Sequence, residues 1–580
     1  MKDKYQYPEW AENAIWYQIF PERFCRKNNQ NPISAEDIEG TTPFLLNRNN
    51  PWHLHDWTSD WYVLDNLEKQ NNADLKNNIL RRRYGGDING IISKLDYLKD
   101  LGVNALYINP LQYSPSLHKY DGTNFLHIDP FFGSDSLNDK LLIENEDFED
   151  FENTCWTTAD KEALLLINQA HKREIKIIFD GVFNHIGYNS KPFQDVLKNR
   201  EKSKYADWFI IDFKKSTKSN LYYQKFWGSV KEMPKLNYSS NKVKEYVFAT
   251  LKRWLKPIVE GKECQGIDGW RIDHAIGVPL TFWKEASKFV KKIKPDSIFI
   301  GELIEPEEII KPYLQNRVFD TIMNYEFLYA SCQFFCAEKN YYSSKEFSEK
   351  LEKLLKNYPI SSNYLMQNIL GTHDTERISS YIVNRKLKNY GSIDKYFQNS
   401  HASDKNYSTR KPYKKEREIQ KMMIIFQFSF VGTPMIYYGD EVGMWGANDP
   451  DCRKPMIWAE NKYQDEKIIV NGIRSTKYNT VKIDKEIFLL YKQLIEFRKT
   501  HKSLTKGDYS VLYSSAENRV FAFSRKYKSE QVIFIFNREN KSFTLSLNKN
   551  TTISMQDFFT RKNYSINKIK IDPFQVLILS

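Results

Sequence analysis

Arg271 and Asp273 stand two residues apart in Gly266-Ile267-Asp268-Gly269-Trp270-Arg271-Ile272-Asp273-His274-Ala275. The short apolar run that carries them reads as a strand end. Strand side chains alternate with period two, so the cation and the carboxylate share one face. A guanidinium in that position holds a carboxylate ionised. An ionised carboxylate at the C-terminal end of a buried parallel strand sits where α/β barrels carry their catalytic groups; alone, the pair reads equally as an ion pair at a loop. Three more stretches repeat the design in the order a barrel requires. Phe179-Asp180-Gly181-Val182-Phe183-Asn184-His185 ends the run 175–179, Gly301-Glu302 ends 297–300, and Gly371-Thr372-His373-Asp374 ends 365–370. Each is an apolar run that stops in a polar cluster containing a carboxylate.

Together the four stretches resemble the four signature regions of the α-amylase family of glycoside hydrolases. The resemblance implies an α/β fold, a (β/α)8 TIM barrel with an inserted domain after strand three and a C-terminal antiparallel β-sandwich. It implies Asp273 as nucleophile, Glu302 as general acid/base and Asp374 as the carboxylate that stabilises the transition state. A retaining glycosidase needs two carboxyls roughly 5 Å apart, one charged and one protonated. Arg271 is expected to supply that difference by lowering Asp273, because Glu302 has only Gly301, Leu303 and Ile304 as sequence neighbours. By the same resemblance His185, His373 and Arg271 surround the sugar, and Tyr120 in Ser114-Pro115-Ser116-Leu117-His118-Lys119-Tyr120-Asp121 stacks beneath it. Asp449 and Arg453 in Asn448-Asp449-Pro450-Asp451-Cys452-Arg453 bind the next sugar, a turn-stabilising salt bridge being the alternative. Asn184 matches a calcium ligand of many amylases, but no remaining oxygen cage can be identified, so no cofactor is required and calcium stays open.

The run Ala14 to Phe24 resembles the first strand of the neopullulanase and cyclomaltodextrinase branch, and Met233-Pro234-Lys235-Leu236-Asn237 its fifth signature. That branch carries a β-module before this strand and dimerises through it. Only about a dozen residues precede it here, so the module is expected to be missing and the oligomeric state is open. Two departures concern the leaving-group side: His274-Ala275-Ile276-Gly277 replaces Val-Ala-Asn-Glu of many relatives, and Leu303-Ile304-Glu305 follows the acid. The expected activity is retaining hydrolysis of α-1,4-glucosidic bonds in maltooligosaccharides or cyclodextrins, with transglycosylation open and a 4-α-glucanotransferase as the alternative. A non-catalytic binding member would be expected to lack one of the three carboxylates.

The 580 residues suffice for several domains. They are expected to divide into a first barrel part at 1–185, the insert at 186–240, the rest of the barrel at 241–502 and a β-sandwich at 503–580. The helix pattern from Ile88 is expected to run to Leu101. Lys+Arg 85 against Asp+Glu 73 gives +12, but the excess is spread along the chain without a nucleic-acid motif. Six scattered cysteines show no disulfide spacing, and Cys332 with Cys336, four apart and without further ligands for zinc, read as buried thiols. With no signal peptide and no apolar run of membrane length, a cytoplasmic protein is expected. The polar excursion 25–83 holds Trp52-His53-Leu54-His55-Asp56-Trp57; His53 and His55 with Asp56 hint at a metal, but a polar loop is preferred without further ligands.

Overall fold

In the computed structural model, residues 7–27, 53–70, 75–217, 219–388, 398–547 and 554–580 are described. Trp52 and much of the 25–83 excursion lie outside them. Eight strands form a closed parallel barrel in chain order: β1 (Trp16–Ile19), β2 (Ala105–Ile108), β3 (Lys176–Gly181), β4 (Gly269–Ile272), β5 (Ile298–Gly301), β6 (Thr321–Asn324), β7 (Gln367–Ile369) and β8 (Thr433–Tyr437). The strands are short and buried on both faces, as a barrel wrapped in helices demands.

Register fixes which side chains meet. On β4, Trp270 lies against Phe179 and Phe183, in the outer apolar layer that also holds Trp254. Alternation then turns Arg271 into the barrel, level with Asp180 of β3 and Ile300 of β5. Large aromatic side chains (Trp16, Trp254, Trp270 and Trp283) are fully buried around this core. Burying each such side chain contributes on the order of 2–3 kcal/mol.

Helices close the repeats. One of them, α1 (Thr158–Lys172), precedes β3 and buries Ile167 and Ala170; it opens with a capping box between Thr157 and Asp160. The helix expected over 88–101 is two, Ile88–Ser93 and Leu95–Leu101, because the chain bends at Lys94. Gly102 ends the second at φ 100°, a left-handed cap that favours glycine.

Between β3 and α2 (Asn241–Leu255), a short helix Lys191–Asn199 and a ribbon of Lys225–Phe226 with Val230–Pro234 interrupt the repeat. The C-terminal region is built of short antiparallel strands. A four-stranded antiparallel sheet, β9 (Asp508–Tyr513), β10 (Val520–Tyr527), β11 (Glu530–Asn537) and β12 (Val576–Leu579), is accompanied by two ribbons. Period two sorts its faces: Phe521, Phe523, Phe534 and Phe536 join the main core, while Val520, Ala522, Ile533 and Ile535 pack with Leu545, Ile569 and Ile571. No disulfide links the six cysteines, which are free. Among the described residues no helix is long and apolar enough to cross a membrane.

Candidate active site

Four carboxylates gather at the C-terminal mouth of the barrel, each delivered by a strand end. Asp180 belongs to β3, Asp273 follows β4, Glu302 follows β5 and Asp374 lies beyond β7. Arg271, fully buried, ties three of them together: its Nη1 donates to Asp180 at 2.8 and 3.1 Å and to Asp273 at 3.0 Å, while Nη2 pairs with Glu302. A guanidinium is rigid and planar, so one group touching both Asp273 and Glu302 brings their carboxyls to the same small volume.

Other elements hold each acid in place. Glu302 accepts the backbone N–H of His274 at 3.0 Å. Asp180 accepts the hydroxyls of Tyr107 at 2.6 Å and Tyr120 at 2.9 Å. Arg453 reaches from the loop after β8 to Asp374 at 3.0 Å, to Asp449 at 2.9 Å and to the carbonyl of His373 at 2.8 Å. Asp374 stays the most exposed of the set, its side chain 43% open, so the mouth is accessible from its side.

The predicted site residues converge, with differences in what they touch. The Tyr120 and His373 rings lie side by side, parallel within 3° and with centroids 5.3 Å apart, joined by the contact of the Tyr120 hydroxyl with His373 Nε2. His373 Nδ1 lies 2.9 Å from Gln18 Nε2, so both ring nitrogens already meet protein. His185 Nε2 faces the carbonyl of Tyr120 at 2.9 Å. Burial pushes His185 down to about 4 and His373 well below the usual histidine range, the latter helped by Arg453 and Arg271. Both rings are neutral under ordinary conditions.

One electrostatic expectation fails. Burial, followed by the charge of Glu302, pushes Asp273 well above the usual carboxylate range, and Arg271 only opposes this. The guanidinium cannot separate Asp273 from Glu302 because it holds both. Sequence neighbours of Glu302 could not reveal a partner supplied by the adjacent strand. Burial likewise raises Asp180.

Asn184 is buried beside His185 at 3.2 Å, with Oδ1 unpartnered among the described residues. Calcium takes roughly six to eight oxygens, of which Asn184 would supply one.

Sequence reasoning did not assign Gln18, Tyr107, Asn109 or Tyr325. Asn109 donates to Tyr120 at 3.0 Å, Gln18 to Asn109 at 3.0 Å, and Tyr325 points at Glu302 from 3.4 Å. Their positions at or just past the ends of β1, β2 and β6 were the available signal. Phe226 and exposed Trp227 stack at 4.5 Å on the insert's ribbon, Phe226 lying against His185 and His274. A cavity of about 260 Å³ adjoins the strand end of Glu302, lined by Leu303, Ile304, Glu305, Asn324 and Tyr325.

Residues 18–147 and 143–507 match the profile of the alpha amylase catalytic domain. The chain belongs to the α-amylase family. As a member of that glycoside hydrolase family it is 34% identical to the cyclomaltodextrinase of Thermoanaerobacter pseudethanolicus, over 94% of this chain and 74% of that one. It is 33% identical to neopullulanase 2 of Thermoactinomyces vulgaris, over 93% and 71%. A solved cyclomaltodextrinase superposes with a TM-score of 0.70 at 29% identity, covering 99% of this α-amylase family chain and 79% of the other.

Proposed function

We propose that the protein is a retaining hydrolase of α-1,4-linked glucose oligomers, linear or cyclic, working inside the cell. One observation carries this conclusion, the joint hold of Arg271 on Asp273 and Glu302. That hold supports the carboxyl spacing of roughly 5 Å that a double displacement needs. Asp273, ionised, attacks the anomeric carbon and forms the covalent glycosyl bond as the bond to the leaving oxygen breaks. Glu302 protonates the departing oxygen and then deprotonates the incoming water, and Asp374 faces the positive charge that develops on the ring. Arg271 positions the first two. Tyr120, held through its hydroxyl by Asp180 and His373, offers an aromatic face to the sugar, and Arg453 with Asp449 meets the neighbouring unit.

The substrate class rests on the relatives, which are named cyclomaltodextrinase and neopullulanase, and the cellular location on one from Bacillus subtilis named intracellular maltogenic amylase, 30% identical over the whole of this chain. Product analysis with maltotriose, β-cyclodextrin and pullulan, with and without an added sugar acceptor, tests the proposal. Hydrolysis of maltotriose or cyclodextrin is expected. Products that form only in the presence of acceptor would make it a glucanotransferase instead.

A further inference from the structure

A second cluster lies outside the catalytic mouth, in the segment 53–70. His53 and His55 are two apart on extended chain, so their rings fall on one side; they stack at 4.7 Å. Both Nε2 atoms converge on a single oxygen, Asp65 Oδ2, from 3.0 and 3.1 Å. Asp56, the acid nearest in sequence, turns away to cap Thr58. The carboxylate of Asp65 is fixed by its other oxygen: Oδ1 accepts the backbone N–H groups of Leu67 and Glu68 at 2.9 and 2.8 Å, which leaves Oδ2 for the imidazoles. Glu68 Oε1 lies 3.2 Å from His55 and is itself held by Arg82. His55 is only 6% exposed, yet among the described residues neither of its ring nitrogens has a hydrogen bond of proper geometry. Such a buried, unsatisfied ring aimed at a carboxylate is costly unless something else fills the gap.

We propose that His53, His55 and Asp65 form a binding site for a divalent transition-metal ion of the zinc class. Two imidazole nitrogens and one carboxylate oxygen suit zinc rather than calcium or magnesium, which take oxygen. Bond lengths near 2.0–2.1 Å around a tetrahedral ion set its ligand atoms roughly 3.3 Å apart. The two contacts to Asp65 are close to that, and all three ligand atoms lie within 4.8 Å of one another. The side chains of His53 and Asp65 are each about one-third exposed, so the fourth position opens to water. The ion would clip together a segment that supports the loop carrying Arg453: Trp61 Nε1 donates to Asp451 at 2.7 Å, and Asp60 accepts the backbone N–H of Lys467.

The test uses the untagged full chain, stripped with chelator and dialysed against zinc, with bound metal measured by mass spectrometry and affinity by competition with a chromophoric chelator. One zinc per chain is expected, with ligand-field bands when cobalt replaces it. His53→Ala and Asp65→Asn, both at partly exposed positions, should weaken binding at least about tenfold while melting like the parent in chelator. Absence of zinc above the chelator background would overturn the proposal. So would unchanged binding in both variants, which would place the ion elsewhere, such as at His127, Glu146 and Cys155. The readout is metal content, so it stands or falls independently of the hydrolase activity.

Discussion

Replacing Arg271 with lysine keeps one positive charge but removes the fork. The guanidinium spans Asp180, Asp273 and Glu302 through two nitrogens, and a single ammonium on a flexible stem cannot reproduce that span. Each charged hydrogen bond lost costs about 1.5–3 kcal/mol, so losing one of those to the reacting pair lowers kcat/KM by roughly 10- to 150-fold. The sign of the pH effect follows from the site. Burial and the charge of Glu302 already raise Asp273, and Arg271 is what opposes them. Weakening it raises the nucleophile further, which moves the acidic limb of kcat/KM to higher pH, by about one unit for each 1.4 kcal/mol of lost interaction. The variant should therefore lose more activity at pH 5 than at pH 8. Initial rates on maltotriose across that range, for both proteins, provide the assay. An unchanged limb with activity within threefold of the parent would refute the idea that Arg271 organises the acids.

Asp273→Asn should abolish turnover and also stabilise the fold. Because the folded carboxyl is raised, its ionisation is a cost that is absent below the unfolded pKa near 4 and grows as pH rises. Thermal melts should thus show a gain near pH 8 that fades by pH 4; a gain independent of pH contradicts this. Tyr120→Phe keeps the ring but removes the hydroxyl that meets Asp180, His373 and Asn109, so kcat should fall about tenfold with KM little changed; a rise in KM alone would say the hydroxyl serves binding only. Asp449→Ala, at a side chain 40% exposed, should raise KM several-fold and leave kcat and the melting temperature unchanged; a lower melting temperature with unchanged KM favours the turn salt bridge.

The barrel was legible because its strands are short apolar runs that end in carboxylates, and because chain order equals spatial order around the closed sheet. The convergence of Asp273, Glu302 and Asp374 followed from the same pattern. The partners of each acid did not, since they arrive from other strands: Arg271 reaches Glu302 across β4 and β5, and Tyr107 reaches Asp180 across β2 and β3. Adjacent residues therefore misled on the pKa of Asp273. The same limit hid Asp65, which lies ten residues beyond His55 and joins it only when the loop folds back. The break at Lys94 was invisible because its apolar spacing fits one helix as well as two.

In the proposed double displacement Asp273 forms the covalent bond to the sugar while Glu302 moves the proton. A slow fluorosugar substrate that accumulates the glycosyl-enzyme, followed by peptide mapping, tests it most directly. One sugar per chain is expected, attached to the peptide containing Asp273 and released on adding an acceptor. Attachment at Glu302 or Asp374, or steady turnover with inverted configuration and no adduct, would contradict it.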